Sequence, residues 1–182
     1  MSNVGSDIRA LRKSRGVTLV DMAEQLDRSI GWLSQVERGQ TEPSIPDLRK
    51  IAALFDLPIS FFFRNNEASE NERGLIVRAN NRATFGSKQD GLVEQLLSPD
   101  INGNFEMILS EFAPGSKSGR VPKRATNEGG YLVSGELNLT LDGTNHNLQA
   151  GDSFQFENME YTWENPGDEP AIVVWIISPP VY

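Results

Sequence analysis

Residues 18–39 read TLVDMAEQLDRSIGWLSQVERG, and this stretch spaces its apolar and small residues as two short helices joined by a tight turn require. Ala23 is small enough for the first helix to approach the second closely, and Asp27 lies at the turn. Leu33 and Val36 then return to the same core. The stretch therefore predicts a helix-turn-helix motif, for which the first functional hypothesis is DNA binding.

The helical pattern extends on both sides of this stretch, up to Phe63. Apolar residues recur there at the intervals of amphipathic helices, which predicts five helices, the last one short and near residues 59–62. Typical capping residues precede the helices, and glycines end two of them. The caps are Ser6, Thr18, Ser29 and Ser44, and the glycines are Gly16 and Gly39. Residues 64–72, RNNEASENE, are polar and without periodicity, which is typical of a linker.

From Arg73 onward the pattern changes to short strands separated by turns. The segments are rich in β-branched and aromatic residues, and Gly, Pro, Asn and Asp lie between them. They read GLIVRA, GLVEQLLS, FEMILSEFA, GYLVSG, ELNLTLDG, DSFQFE and AIVVWIIS. Seven or more such strands predict a β-barrel or a β-sandwich.

The formal net charge of the 182 residues is −8, but the two parts of the chain differ. Residues 1–66 hold nine Lys or Arg and eight Asp or Glu, whereas residues 67–182 hold eight and seventeen. Because the first part is close to neutral, attraction to phosphate depends on where its charges lie rather than on their sum. This lowers the non-specific DNA affinity that we expect, but not the specific affinity.

The chain contains no cysteine, which excludes disulfides, thiolate metal sites and a cysteine nucleophile. No apolar run approaches the roughly 18 residues of a membrane helix, and the first residues do not resemble a signal peptide. We therefore expect a cytoplasmic protein without a membrane partner.

Two resemblances to known families cover most of the chain. Residues 7–63, with LSQVERG followed by EPSIPDLRKIAALFDLPISFFF, resemble the lambda-repressor-like, XRE-type DNA-binding domain. Residues 105–178, with PGSKSG, GGYLVSGELNLTLDG and LQAGDSFQFENMEYTWENPGDEPAIVVWI, resemble the small cupin domain. The combination is similar to bacterial regulators that join an XRE-type DNA-binding domain to a cupin sensor domain. It implies a two-domain α + β chain: an all-α five-helix bundle at 1–63, a linker at 64–72 and an all-β cupin barrel (double-stranded β-helix) at 73–182.

In helix-turn-helix proteins the second helix of the motif lies in the major groove of DNA. Here that helix is expected to run from Ser29 to Arg38. The residues expected to face DNA are Ser29, Ile30, Gly31, Trp32 and Gln35, and the candidates for phosphate contact are Thr18, Arg28 and Arg38. Gln35 is the best candidate for reading a base, because its amide can donate to and accept from adenine. The resemblance also implies an ion pair between Arg12 and Glu37.

Some of these positions have a structural alternative. Trp32 packs against the neighbouring helix in that alternative, and Gln35 is a solvated surface residue. Two residues depart from the XRE pattern: Asp27 stands where a turn glycine is common, and Arg28 stands where an apolar residue is usual. Asp tolerates the left-handed conformation of such a turn better than most residues, and Arg can lay its aliphatic stem over the core edge.

The resemblance to cupins raises the question of a catalytic metal, which many cupins hold with histidines and a glutamate. Aligning YLVSGE on the first cupin motif places Arg124 and Thr126 near the two histidine positions and Glu128 near the carboxylate position. The second motif places Tyr161 at its histidine position. The single histidine, His146, lies between two predicted strands and is expected to be an exposed strand or turn residue. One Glu and one Tyr are a poor ligand set for Fe, Zn or Mn, so we expect no metal, no cofactor and no catalytic residue.

A charged and aromatic set at the barrel mouth would instead suit a small polar effector, such as an amino acid, a polyamine or a carboxylate. The set consists of Arg120, Arg124, Glu128, Tyr161 and Trp163. In the alternative interpretation, Arg124 and Glu128 pair with each other or face solvent, in a barrel that serves only as a dimerisation scaffold.

The expected partners are a double-stranded DNA operator and a second copy of the chain, because two related modules meet two half-sites. The apolar strands GLVEQLLS and AIVVWIISPPVY are the expected dimer surface. The resemblance favours repression over activation. Two rival functions stay open: a cupin metalloenzyme with an accessory helix-turn-helix domain, as in HTH-cupin epoxidases, and a repressor that responds to a protein partner.

Overall fold

The first part of the described chain is built from α-helices. The computed structural model describes residues 4–57, 59–63, 71–72, 74–87, 89–99 and 103–181. Its α-helices are α1 (Val4–Ser14), α2 (Leu19–Gln25), α3 (Ile30–Glu37) and α4 (Ile45–Leu54). The prediction of a fifth α-helix is wrong, because Ile59–Phe63 forms a 3-10 helix. Five residues are too few to repay the cost of α-helix nucleation, and 3-10 geometry is common in such short pieces.

The helix starts and the central turn follow the sequence closely. The hydroxyls of Thr18, Ser29 and Ser44 each accept a hydrogen bond from the backbone N–H three residues further along, which confirms these predicted caps. Ser6, in contrast, lies inside α1 rather than at its start. Asp27 adopts the left-handed conformation predicted for the turn, with φ at 55°. The turn between α2 and α3 therefore forms without glycine.

A buried ion pair joins α1 to the end of α3. The Arg12 Nε and Nη2 atoms donate to the two carboxylate oxygens of Glu37 at 2.6 and 2.9 Å, and Nη1 donates to the Val17 carbonyl at 3.0 Å. The hydrogen bonds that Arg12 donates to Glu37 raise the pKa of Arg12 above its usual value, although burial opposes this. The predicted Arg12–Glu37 pair is confirmed. Leu33 and Val36 are fully buried, so α3 is fixed both by apolar packing and by this pair.

The described part of the chain after residue 83 forms nine antiparallel strands in two sheets. The strands are β1 (Thr84–Ser87), β2 (Leu92–Leu96), β3 (Glu106–Phe112), β4 (Asn127–Ser134), β5 (Glu136–Leu141), β6 (Thr144–Gln149), β7 (Ser153–Glu157), β8 (Tyr161–Glu164) and β9 (Ala171–Ser178). One sheet has the order β1-β2-β3-β9-β4-β7, and the other has the order β6-β5-β8.

Six of the seven predicted strand segments contain a strand, and one does not. The segment GLIVRA at 74–79 lies outside the strands, and Leu75 in it is 75% exposed. Strands β1, β6 and β8 have no counterpart in the prediction. Strand β6 reads TNHNLQ and is exposed along nearly its whole length, so it lacks the apolar alternation by which strands are recognised. His146 lies in β6 and is exposed, as predicted.

The two sheets enclose an interior rich in aromatic side chains. Alternate residues of β3 and β9 are buried, as expected for strands that cover a core with one face. The rings of Phe112 on β3 and Trp163 on β8 lie 4.6 Å apart, and those of Trp175 on β9 and Tyr161 on β8 lie 5.6 Å apart. These contacts join one sheet to the other. The β-rich part is therefore a cupin-like arrangement of two facing sheets.

The chain divides into two compact units. One comprises Met1–Ala83, Ser98–Asn104 and Pro180–Tyr182, and the other comprises Thr84–Leu97 and Phe105–Pro179. The predicted linker at 64–72 lies outside the described residues except for residues 71 and 72. The domain limits derived from the sequence stay predictions. Where the structure describes the chain, no helix has the length and apolar character needed to span a membrane.

Candidate DNA-contact helix and candidate effector site

One face of the first two turns of α3 is exposed to solvent, whereas Leu33 and Val36 on the same helix are buried. Ile30 is 48% exposed although it is large and apolar. Ser29, Gly31 and Gln35 are exposed as well, and Trp32 is half-buried. A Cβ atom placed on Gly31 would have the Ser29 Oγ as its nearest neighbour, at 4.0 Å, so the fold leaves room for a larger residue. These residues do not pack the core, which leaves this face of α3 accessible to a partner.

The polar residues predicted to contact DNA are held by short-range hydrogen bonds. The Gln35 Oε1 accepts from the Thr41 hydroxyl at 3.3 Å, and the Arg38 Nη1 donates to the Ser34 hydroxyl at 2.7 Å. Because Ser34 is neutral, this bond does not offset the charge of Arg38. Thr18 is exposed and its capping hydroxyl also donates to the Asp21 carboxylate at 2.6 Å. All three side chains stay accessible from solvent.

Arg28 differs from these residues, because it is paired with a carboxylate. Its Nε and Nη2 donate to the Asp47 Oδ1 at 3.0 and 2.7 Å. The Arg28 guanidinium carbon also lies 5.1 Å from the centre of the Trp32 ring. Arg28 therefore connects the start of α4 to the first turn of α3.

In the β-rich unit, the predicted effector residue Glu128 is almost completely buried. Its exposed fraction is 2%, and both carboxylate oxygens are hydrogen-bonded. Oε1 accepts from the Thr126 hydroxyl at 2.9 Å, and Oε2 accepts from the Trp175 indole Nε1 at 3.0 Å. Both donors are neutral. Glu128 is thus a buried carboxylate held in a fixed orientation without a cationic partner among these bonds.

Tyr161 lies in the same interior and interacts electrostatically with Glu128. Its ring lies 5.6 Å from that of Trp175 and 5.4 Å from that of Phe156. Burial, followed by the nearby charge of Glu128, raises the pKa of Tyr161 above its usual value, while Arg124 opposes this effect. The phenol therefore stays protonated at neutral pH, so that it can donate a hydrogen bond.

The other predicted effector residues lie in different environments. Arg120 is exposed and forms an ion pair with Glu160. Arg124 is exposed too, but its charge acts on Tyr161, so it lies near the same region. Trp163 is 7% exposed and its ring packs against Phe112, which is the environment of a core residue. The structure thus brings Glu128 and Tyr161 together inside the barrel and leaves the arginines outside it.

Comparison with known proteins now identifies both parts of the chain. A helix-turn-helix domain model matches residues 4–60, and a cupin domain model matches residues 108–177. The HTH-type transcriptional regulator PuuR of Escherichia coli is 26% identical over 151 residues, which cover 82% of this chain and 80% of PuuR. The transcriptional regulator ClgR of Mycobacterium tuberculosis is 31% identical over 101 residues, which cover 54% of this chain and 89% of ClgR.

The chain belongs to the XRE-type helix-turn-helix transcriptional regulators that carry a cupin domain. DNA binding and the regulation of transcription follow from this membership. Among solved structures, that of FeII HppE is 14% identical to the regulator and has a TM-score of 0.50. The match covers 97% of the regulator and 98% of the HppE chain. This likeness shows the fold alone.

The regulator does not offer the ligands that the cupin family uses for a metal ion. Within the described residues, no group of three His, Cys, Asp or Glu side chains comes together. At the aligned positions stand an exposed Arg124, a buried Thr126 and a half-buried Tyr161. Thr126 and Trp175 donate to the two oxygens of Glu128. A hard divalent ion needs several converging oxygen or nitrogen ligands. The residues present therefore do not fit a metal ion.

Sequence reasoning did not include Thr126 in the predicted effector set, and it did not assign Trp175 to this region of the regulator. In the sequence, Thr126 stands out only as a replacement for a histidine, and Trp175 only as part of an apolar strand. Successive side chains of a strand point to opposite faces, which groups Trp175 with the buried residues of β9, and a buried indole N–H needs an acceptor. That requirement is the available signal that a polar group lies inside the barrel.

Proposed function

We propose that the regulator is a dimeric repressor whose affinity for its operator changes when a small polar effector binds inside a metal-free cupin barrel. The observation that carries this proposal is the buried Glu128, which accepts a hydrogen bond from the Trp175 indole and aligns near the carboxylate position of the cupin metal motif. An effector regulates only if its affinity differs between the DNA-binding and the non-binding arrangement of the dimer. Repression, rather than activation, is carried over from the XRE-type resemblance.

For the DNA, we propose that α3 enters the major groove with the exposed face of its first turns. Gln35 would read an adenine, and Ile30 or Trp32 would contact a thymine methyl group. Gly31 would allow the helix backbone to come close to the bases. Arg38 and Thr18 are the proposed phosphate contacts, which fix the position of the helix without reading sequence.

For the effector, the interior favours a positively charged group over a carboxylate. Glu128 is a buried carboxylate there, and the rings of Tyr161 and Trp175 are suited to a cation by their negative faces. The two arginines proposed to hold a carboxylate are exposed, and Arg120 is already paired with Glu160. An amine, a polyamine or the ammonium end of an amino acid therefore fits better than a simple carboxylate.

We propose that the regulator dimerises through the outer face of its six-stranded sheet. Between the inward residues of β9 lie Ile172, Val174 and Ile176, and Ile176 is 41% exposed. Their neighbour on β4, Tyr131, is 50% exposed. An exposed apolar patch on a sheet is typical of a surface that is buried in an assembly. A second copy of the chain would cover it and would place two α3 helices at two half-sites.

The effector proposal is tested with four unbranched five-carbon compounds: pentylamine, 1,5-diaminopentane, 5-aminopentanoate and pentanoate. We expect the compounds with an ammonium group to raise the melting temperature of the regulator and to shift its DNA affinity, and pentanoate to do neither. Glu128→Gln should abolish both responses while DNA affinity without added compound stays as in the wild type. Glu136→Gln, on an exposed position of β5, is the matched control. A Glu128→Gln variant that still responds, or an equal response to pentanoate, would contradict the proposal.

The scaffold interpretation remains a second candidate function, because one observation favours it. Both oxygens of Glu128 already have partners inside the protein, so its burial is compatible with a structural role. In that case none of the four compounds would change the melting temperature or the DNA affinity, and Glu128→Gln would lower the stability alone.

A further inference from the structure

Arg28 lies in a chain of contacts that runs from the start of α4 to the first turn of α3. The Asp47 Oδ2 accepts from the backbone N–H and the hydroxyl of Ser44, at 3.2 and 2.6 Å, within the capping box of α4. The Asp47 Oδ1 accepts two hydrogen bonds from Arg28. The Asp47 side chain is 7% exposed, so helix capping and burial fix its orientation. The guanidinium of Arg28 is therefore bound to an immobile partner.

The other end of this chain is the indole of Trp32. The guanidinium carbon of Arg28 lies 5.1 Å from its ring centre, within the range of a cation–π contact. The backbone N–H of Trp32 donates to the Ser29 hydroxyl at 3.1 Å, which fixes the backbone of this residue at the helix start. The cap thus sets the backbone, while Arg28 restrains the side chain. The indole remains half-buried, with part of its surface open to a partner.

We infer that Arg28 is a positioning residue for DNA recognition: it holds the Trp32 indole in the conformation in which it meets the major groove, and does not itself bind a phosphate. Two physical arguments support this inference. The charge of Arg28 is offset by Asp47, with 2.7 Å between the charged atoms, so little of it remains for a phosphate. A side chain that is already fixed before binding loses less conformational entropy in the complex. The inference rests on the proposed contact of α3 with DNA and does not depend on the effector.

The experiment uses the full-length regulator and duplexes that the wild type selects from random DNA. We expect Arg28→Gln to weaken binding roughly fivefold, as the loss of one cation–π restraint would. The slope of log Kd against log salt should stay unchanged, because no phosphate contact is lost. Base preference should relax at the position that Trp32 contacts, and Arg28→Lys should restore the affinity only in part, since Lys lacks the planar group.

A double-mutant cycle tests whether Arg28 acts through Trp32. In a Trp32→Ala background, Arg28→Gln should have no further effect on DNA affinity. Asp47→Asn should weaken DNA binding in the same direction as Arg28→Gln and relax the same base position. Labelling with 5-fluorotryptophan gives a separate readout. The resonance of Trp32 is identified as the one that Trp32→Phe removes, and both Arg28→Gln and Asp47→Asn should shift it.

Three results would overturn the inference. A salt slope lowered by about one in Arg28→Gln would show that Arg28 contacts a phosphate. Equal losses from Arg28→Gln in the wild-type and Trp32→Ala backgrounds would show that it does not act through Trp32. Unchanged affinity and base preference in Arg28→Gln, whose folding is checked by circular dichroism, would leave it no part in recognition.

Discussion

At the scale of single residues, substitution of Gly31 distinguishes a role of this position in DNA recognition from a role in folding. The fold leaves room for a methyl group at this position, since a Cβ added there would lie 4.0 Å from its nearest neighbour. Gly31→Ala should therefore raise the free energy of unfolding by up to about 1 kcal/mol, because alanine favours the helix. In contrast, we expect it to weaken operator binding, because the added methyl group would stand between the helix and the bases.

Denaturant unfolding and operator titration of the same Gly31→Ala preparation measure the two effects. If stability rises but the operator affinity of the variant equals that of the wild type, α3 does not approach DNA at this residue.

Residues also show how far the candidate sites follow from sequence. The face of α3 was predictable because helical periodicity separates Leu33 and Val36, which are buried, from Ile30 and Gln35, which are exposed. The barrel interior was less predictable, because its polar residues come from strands distant in sequence. Glu128 and Trp175 are 47 positions apart, and only the antiparallel pairing of β4 with β9 brings them together.

At the scale of secondary-structure elements, the start of α4 should make stability depend on pH. Burial tends to raise the pKa of Asp47, but hydrogen bonds from Ser44 and Arg28 outweigh it, so its pKa lies below the usual value of 3.8. A carboxyl whose pKa is lowered by folding stabilises the folded state above its ordinary pKa. That contribution is lost as the pH falls below about 3.8 and through the lowered pKa.

We therefore expect Asp47→Asn to cost about 1 kcal/mol of unfolding free energy at neutral pH, and less as the pH falls below about 4. Urea unfolding of both proteins between pH 7 and pH 3 measures this difference. A difference that stays constant down to pH 3 would show that the charge of Asp47 does not stabilise the cap.

The strands show which elements a sequence can and cannot reveal. Strands β3 and β9 were predictable because each contains a run of apolar residues, and in both strands alternate residues are buried. Strand β6 carries no such signal, because it pairs with β5 at a sheet edge and is exposed to solvent. GLIVRA has the composition of a strand, yet it lies outside both sheets, because composition does not supply a pairing partner.

At the scale of the whole molecule, the distribution of charge constrains how the regulator meets DNA. The acidic excess lies in residues 67–182, which hold eight Lys or Arg and seventeen Asp or Glu, and residues 1–66 are nearly neutral. The DNA affinity gained from net charge is therefore small. Binding must depend on a few basic side chains that contact phosphates and on contacts to bases. Two α3 helices in a symmetric dimer would double those contacts. The proposed dimer therefore requires an operator with two half-sites.

The most direct test of the central claim, that α3 reads DNA, is the selection of duplexes from random DNA by the wild type and by Gln35→Ala. We predict two-fold-symmetric sites with half-sites roughly 34 Å apart, or a multiple of that distance, for both proteins. Gln35→Ala should lose preference at one base position in each half-site, at a cost of about 1–3 kcal/mol. An equal loss of affinity on every sequence, or selected sites without two-fold symmetry, would contradict the account.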